Sequence, residues 1–86
     1  MPEVPSSSDT LAWVMYKKGM YSNALPLLLD CVAEAPQSAQ FHYHLGMALL
    51  ASGQKTKAKT ELETALRLKL DFANIVDARQ ALGSLN

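Results

Sequence analysis

The chain has 86 residues, 49% of them hydrophobic and 19% charged, a composition that suits one small globular domain. Eight lysines and arginines balance eight aspartates and glutamates, so no excess positive charge attracts nucleic acid or anionic lipid. The single Cys31 excludes an internal disulfide, and no stretch reaches the roughly 18 apolar residues that span a membrane. We therefore expect no nucleic-acid partner and no membrane insertion.

The first eight residues contain two prolines and three serines, which predicts a flexible tail over residues 1–8. They lack the basic and apolar regions of a secretory signal, so the cytoplasm is the default expectation if the chain is complete. From residue 9 onward, apolar side chains such as Leu11, Val14 and Met15 recur every three to four residues. This spacing predicts one helical domain over residues 9–86, and no period-two alternation predicts a strand.

Helix ends are marked along the chain by glycine, proline and hydroxyl side chains. Gly19 and Gly53 each follow an apolar helical run, and Pro36 follows another, so each of the three is predicted to end a helix. Ser22 and Thr56 come shortly after the two glycines, and both are predicted to be N-caps of the helices that follow.

The sequence matches itself at an offset of 34 residues. The strongest coincidences are Leu11 with Leu45, Gly19 with Gly53, Ala24 with Ala58 and Leu28 with Leu62. Small residues let two helix backbones approach closely, and the leucines fill the space beside them. The offset therefore indicates two copies of one antiparallel helical hairpin.

This pattern resembles the tetratricopeptide repeat, a unit of about 34 residues with the motif W-x2-L-G-x2-Y, then A-x3-F, then P. The matching residues are Leu11, Ala12, Met15, Ala24, Leu28 and Pro36 in the first copy, and Leu45, Gly46, Leu49, Ala58 and Leu62 in the second. Ser8 and His42 replace the tryptophan, and Leu70 replaces the second proline. The resemblance implies an all-α solenoid of about five helices, with repeats over residues 5–38 and 39–72.

The remaining residues, 73–85, are predicted to form a capping helix that covers the last apolar face of the second repeat. A strict continuation of the repeat would place Arg79 where Leu45 stands. Shortening the preceding turn by one residue places Ala78 there instead, which restores the apolar face. We adopt the shortened turn.

None of the reactive side chains forms a catalytic or metal-binding pattern. His42 and His44 point about 200° apart around a helix, so they cannot share a metal, and His42 is expected to pack near the second and fourth helices. Cys31 aligns with Ala65, which favours a buried and inert thiol. Glu61 stands four residues after Lys57, as an ion pair on a solvated face would. We therefore predict no enzyme activity, no metal and no cofactor.

The resemblance also implies a binding surface, because the first helices of successive repeats line a concave groove in this family. The residues at the groove positions are Asp9, Trp13, Tyr16, Lys17, Gln40, Tyr43, Met47 and Leu50, to which the capping helix adds Val76 and Gln80. Family members that clamp the C-terminal carboxylate of heat-shock chaperones use Lys and Asn where this chain has Asp9, Trp13, Tyr43 and Met47, so that clamp is absent.

The predicted function is a protein-interaction module or scaffold that binds a partner helix or peptide in this apolar, aromatic groove. For Tyr43 and Met47, packing between helices is an equally weighted alternative. Two further alternatives stay open for the whole chain. One alternative is that the chain is the C-terminal segment of a longer repeat array. The other is that it forms a homodimer through Trp13 and Tyr16.

Overall fold

The structure is a computed structural model that describes residues 5–69 and 72–85, with side chains over 9–69 and 74–85. These residues form five helices: α1 (Pro5–Lys17), α2 (Tyr21–Glu34), α3 (Ala39–Ala51), α4 (Lys55–Arg67) and α5 (Phe72–Leu85). No strand occurs in the described ranges. The predicted all-α architecture of five helices is confirmed.

Helix α1 begins at Pro5, four residues before the end of the predicted tail at residue 8 would place it. The helix includes residues 5–8, which we had assigned to the flexible tail, and residues 1–4 lie outside the described part of the chain. Proline is well tolerated at the start of a helix, because its missing amide hydrogen would have no intrahelical acceptor there. Pro5 therefore starts the helix instead of extending the tail.

The two glycines end α1 and α3 with the same hydrogen-bonded turn. Gly19 and Gly53 have φ angles of 80° and 87°, a region that residues with a Cβ atom rarely adopt. After Gly19, the amide of Met20 donates to the carbonyl oxygen of Met15 at 2.8 Å, and the turn after Gly53 contains the equivalent bond at 2.9 Å. This is the Schellman motif, and it returns the chain directly into the next helix.

The short turns also explain why two predicted N-caps are wrong. Helices α2 and α4 begin one residue before Ser22 and Thr56, and neither helix has a side-chain cap. The carbonyl oxygens of Met20 and Gln54 already accept the first helical hydrogen bonds, so both hydroxyl residues lie inside the helix. The side-chain cap of α3 is Ser38, whose hydroxyl oxygen accepts the amide hydrogen of Phe41 at 3.3 Å.

Consecutive helices pack against each other, and α3 also contacts α1 and α5. The odd-numbered helices therefore form one layer, with α2 and α4 behind it. The first core cluster joins the two repeats and contains Ala12, Ala24, Leu28, Leu45, Ala48, Leu49 and Ala58. The second joins the second repeat to α5 and contains Tyr43, Leu62, Ala65, Ala78 and Ala81. Ala78 is buried and Arg79 exposed, as the shortened turn predicted.

Helices α3 and α4 approach each other closely at Gly46. A Cβ atom built at this position would lie 2.7 Å from Cγ of Leu62 and 3.2 Å from its backbone nitrogen. Separations this short are below van der Waals contact, so any side chain here would push α3 away from α4. Gly46 therefore fixes the spacing of the second hairpin.

We expect Gly46→Ala to lower the free energy of unfolding by about 1–3 kcal/mol, because overpacking forces the helices apart. Gly83→Ala is the matched control, since a Cβ atom on this helical glycine would meet nothing within 4 Å. Alanine favours a helix over glycine by up to about 1 kcal/mol, so the control should be neutral or stabilising. Urea unfolding of both variants tests the contact, and equal effects would contradict it.

Candidate protein-binding surface

Trp13 is the centre of an aromatic cluster that joins α1 to α3. Its indole stacks on the Tyr16 ring, with centroids 4.5 Å apart and an interplanar angle of 6°. It also stacks on the His44 imidazole at 4.0 Å and 19°, and the Tyr43 ring lies 5.8 Å away. Nζ of Lys17 lies 5.3 Å from the indole centroid, within cation–π range. These contacts hold the half-buried Trp13 in one orientation.

The orientation of His44 is set by a buried hydrogen bond to Asp9. Nδ1 of His44 lies 2.6 Å from Oδ1 of Asp9, and the amide of Gln40 donates to the other carboxylate oxygen at 3.4 Å. Because an ionised carboxylate only accepts, the imidazole hydrogen of this bond is on Nδ1. Asp9 is 2% exposed, so its side chain has almost no surface to offer a partner. Its position corrects the expectation of a groove contact.

Tyr43 is also buried. It packs between helices, which was the alternative to a position in the groove. Its hydroxyl donates to Oδ2 of Asp77 on α5 at 3.3 Å. The pKa of the nearby Tyr16 phenol is raised, first by desolvation and then by the charges of Tyr21 and Asp77. The exposed Asp77 therefore accepts a hydrogen bond from Tyr43, and its charge also acts on Tyr16. Sequence reasoning missed it, although it directly follows Val76, which the repeat frame had assigned to the groove.

The remaining predicted groove residues keep part of their surface accessible. Met47 and Leu50 are half-buried; Met47 packs on the second core cluster and Leu50 on both clusters. Lys17, Gln40, Val76 and Gln80 are exposed. We use the name aromatic surface for six of the accessible residues on α1, α3 and α5, namely Trp13, Tyr16, Lys17, Met47, Leu50 and Asp77. Its centre is apolar, and Lys17 and Asp77 supply one charge of each sign.

His42 is a structural residue that joins α3 to α4. Its Nε2 donates to the carbonyl oxygen of Pro36 at 2.8 Å, and its Nδ1 lies 2.6 Å from Oε1 of Glu61. The predicted packing near α4 is confirmed, whereas the predicted pairing of Glu61 with Lys57 is replaced by this bond. When Glu61 is ionised, both partners are acceptors, so both bonds form only with the doubly protonated imidazolium.

No group of three potential metal ligands occurs within the described ranges. None of the five helices, as described, has the length and apolarity that crossing a membrane requires. Burial raises the pKa of the Cys31 thiol, and the nearby carboxylates of Asp9, Asp30 and Glu34 raise it further. A raised thiol pKa and a buried sulfur both oppose nucleophilic reactivity.

A surface cavity of about 290 Å³ lies away from the aromatic surface. Its apolar lining comes from Leu25 and Leu29 of α2 and Leu45 and Leu49 of α3. Its polar rim comes from Gln54 and the first half of α4. None of its lining residues belongs to the aromatic surface. The two features are therefore separate candidates for binding, and a test must distinguish them.

A scan against protein-family models matches the tetratricopeptide repeat model over residues 15–82. The matched range begins near the end of α1, covers α2, α3 and α4 completely, and includes most of α5. A search of curated proteins found no match, and neither did a search of solved structures.

We expect Asp9→Ala to lower the free energy of unfolding by about 3 kcal/mol, since it leaves the buried His44 imidazole without its partner. The double variant Asp9→Ala, His44→Phe keeps an aromatic ring against Trp13 and removes the unpaired polar group. Urea unfolding should show a double variant less destabilised than the sum of the two single variants. Additive losses would contradict the coupling.

The raised pKa values of Cys31 and Tyr16 predict a loss of stability in alkali. The unfolded chain releases these protons at ordinary pKa values, about 8.5 for a thiol and about 10 for a phenol, while the folded chain still holds them. The contribution of these two groups to the free energy of unfolding is therefore complete below about pH 8. It falls as the pH rises through their shifted pKa values.

Cys31→Ala removes the contribution of the thiol, and Ala65 occupies the equivalent position of the second repeat. The difference in unfolding free energy between the original chain and this variant should shrink between pH 7 and pH 10. A constant difference over this range would contradict the raised thiol pKa.

Proposed function

We propose, because the chain belongs to the tetratricopeptide repeat family, that it is a protein-interaction module that binds a partner through the aromatic surface. Tetratricopeptide repeats are typically non-catalytic interaction modules. The partner is a helix or an extended peptide segment with apolar side chains at its centre. Five residues of the aromatic surface are ones that the repeat pattern assigns to the groove: Trp13, Tyr16, Lys17, Met47 and Leu50.

The observation that carries the proposal is the fixed orientation of Trp13. Its ring is held by stacking on Tyr16 and His44, and His44 is held in turn by the buried Asp9. Large aromatic side chains that are already ordered lose little conformational entropy on binding, and tryptophan and tyrosine are enriched among residues that dominate binding energy. His44 and Tyr43 of this cluster are buried in the domain. The accessible parts of Trp13 and Tyr16 form the proposed anchor.

The charges around the anchor set the expected partner chemistry. Lys17 on α1 lies beside the Trp13 indole, and Asp77 on α5 accepts a hydrogen bond from Tyr43. A partner with an acidic and a basic group flanking its apolar centre is therefore favoured. Exposed charges of this kind affect the rate and register of association more than its affinity. The apolar contacts with Trp13, Tyr16 and Met47 are expected to supply most of the affinity.

Partner capture by the immobilised chain tests the proposal. The double variant Tyr16→Ala, Met47→Glu should bind the captured protein at least ~10-fold more weakly, a loss of about 1.4 kcal/mol. Leu29→Glu is the control, because Leu29 is 55% exposed and lines the separate cavity on α2. If the control variant loses binding and the double variant keeps it, the cavity is the binding site and the proposal is wrong.

The homodimer alternative has its own test on the same surface. Sedimentation equilibrium over a wide concentration range should find a monomer, with Trp13 fluorescence independent of concentration. A dimer whose formation shifts the Trp13 emission to shorter wavelength would instead assign the aromatic surface to self-association.

A further inference from the structure

The surface cavity between α2, α3 and α4 has an apolar lining that solvent reaches. Leu45 and Leu49 of α3 are 2% and 6% exposed and form its inner part. Leu29 of α2 is 55% exposed and Leu25, one helical turn earlier, is half-buried, so these two form its outer part. We use the name leucine cavity for the space that these four residues line. Folding leaves apolar surface open to water there, and covering that surface with a ligand is favourable.

The volume of the leucine cavity determines the size of the ligand that fits. It is about 290 Å³, close to the lower limit of the ~300–1,000 Å³ that small-molecule sites usually have. An apolar cavity of ~150 Å³ already holds benzene. A protein helix, with a diameter of ~10–12 Å including its side chains, is too wide to enter this space. The cavity therefore fits a small molecule with one ring or an alkyl chain of medium length.

The charged groups of the lining leave one positive charge without a counter-charge. Glu61 and Lys57 both line the cavity, but Glu61 is bonded to His42. Both bonds of His42 form either with ionised Glu61 and an imidazolium or with protonated Glu61 and a neutral imidazole, so the pair has no net charge in either case. Within the described ranges, Lys57 forms no ion pair with a carboxylate. The Lys57 ammonium is therefore the net charge of the lining.

The polar end of the leucine cavity continues into a second depression at the turn after α3. This depression has a volume of about 280 Å³ and shares Gln54, Thr56 and Lys57 with the leucine cavity. Its described lining residues also include Lys55 and no carboxylate. A ligand with its apolar part on the leucines would therefore have its head group where lysines are the charged neighbours.

We propose that the leucine cavity binds a small amphipathic carboxylate, such as a medium-chain fatty acid. The alkyl chain lies against the four leucines, and the carboxylate lies beside the Lys57 ammonium. Burial of the chain supplies most of the affinity, and the ammonium selects a carboxylate over an uncharged or cationic head group. A single ammonium matches the one charge of a carboxylate, whereas a phosphate monoester has nearly two. The site is separate from the aromatic surface, so this proposal does not rest on the proposed function.

Octanoate, below the concentration at which it forms micelles, is the probe. Methyl ¹H–¹³C spectra of the full chain labelled at leucine should show saturable shifts at Leu25, Leu29, Leu45 and Leu49. From hexanoate to heptanoate to octanoate, the dissociation constant should fall about 4-fold for each added methylene, which corresponds to ~0.8 kcal/mol per buried methylene. The fall should end with the chain length that fills the cavity.

Variants at Lys57 test the position of the head group. Lys57→Gln should weaken octanoate binding ~3-fold, as expected for an exposed ion pair, and should leave the binding of uncharged octanol unchanged. Lys59→Gln is the matched control, because Lys59 is an exposed lysine of the same helix that does not line the cavity.

Variants of exposed leucines test the position of the alkyl chain. Leu29→Glu places a charge in the apolar lining and should weaken octanoate binding at least ~10-fold. Leu11→Glu is the control, because Leu11 is 50% exposed and lies outside the cavity. Both variants change exposed side chains, and circular dichroism with thermal unfolding should show that both fold. The variant Tyr16→Ala, Met47→Glu should bind octanoate like the original chain, which separates this test from that of the aromatic surface.

Four results would overturn the proposal. One is the absence of saturable shifts at the four leucines. Another is equal octanoate binding by Lys57→Gln and the original chain, because the carboxylate would then lie elsewhere. A third is a set of ligand-free shifts that depend on protein concentration and disappear in Leu29→Glu, which would assign the cavity to a second copy. The last is loss of partner capture by Leu29→Glu, because the occupant would then be a protein.

Discussion

Helix α3 contacts all four other helices, and the rest of the structure depends on this central position. Two small residues of α3 make it possible. Gly46 allows the helix to reach the backbone at Leu62 of α4, and the fully buried Ala48 packs in the cluster that includes Ala24 of α2. Because little space remains around α3, eight of its thirteen residues are buried. Every polar side chain that the sequence places on those inward faces must find a partner inside the protein.

The buried histidines of α3 meet this requirement, and in doing so they fix the neighbouring elements. His42 bridges the turn at Pro36 and Glu61 of α4, whereas His44 bridges Asp9 of α1 and the Trp13 ring. Among the described residues, no buried side-chain nitrogen or oxygen lacks a hydrogen-bond partner. Breaking such a pair costs more than the pair contributes over an apolar substitute, so it specifies one arrangement more than it stabilises the fold. The bond between Asp9 and His44 therefore also sets the orientation of the Trp13 ring.

Helix α1 shows how one element serves two surfaces. Its inner side contributes Ala12 to the core, its aromatic side carries Trp13 and Tyr16, and its outer side carries Leu11 and Val14. The repeat explains the difference between α1 and the later odd-numbered helices. Helices α3 and α5 each follow a helix that covers their outer side, and α1 follows none within the described part of the chain. The same residue positions are therefore core in the second repeat and surface in the first.

The sequence by itself determined the features that depend on local spacing: the two hairpins, the glycine-terminated helices, the small and leucine positions that meet between helices, and the family. These follow from residues a few positions apart, whose relation is fixed once a helix forms. Only the tertiary structure decided that Asp9 and Tyr43 are buried, that Glu61 pairs with His42, and that Asp77 accepts a hydrogen bond from Tyr43. The bonds of Asp9 with His44 and of Glu61 with His42 span 35 and 19 residues, so they depend on how the helices pack. Local periodicity has no information about such distant partners, because rotating or sliding one helix by a single turn would change them while leaving its own pattern intact.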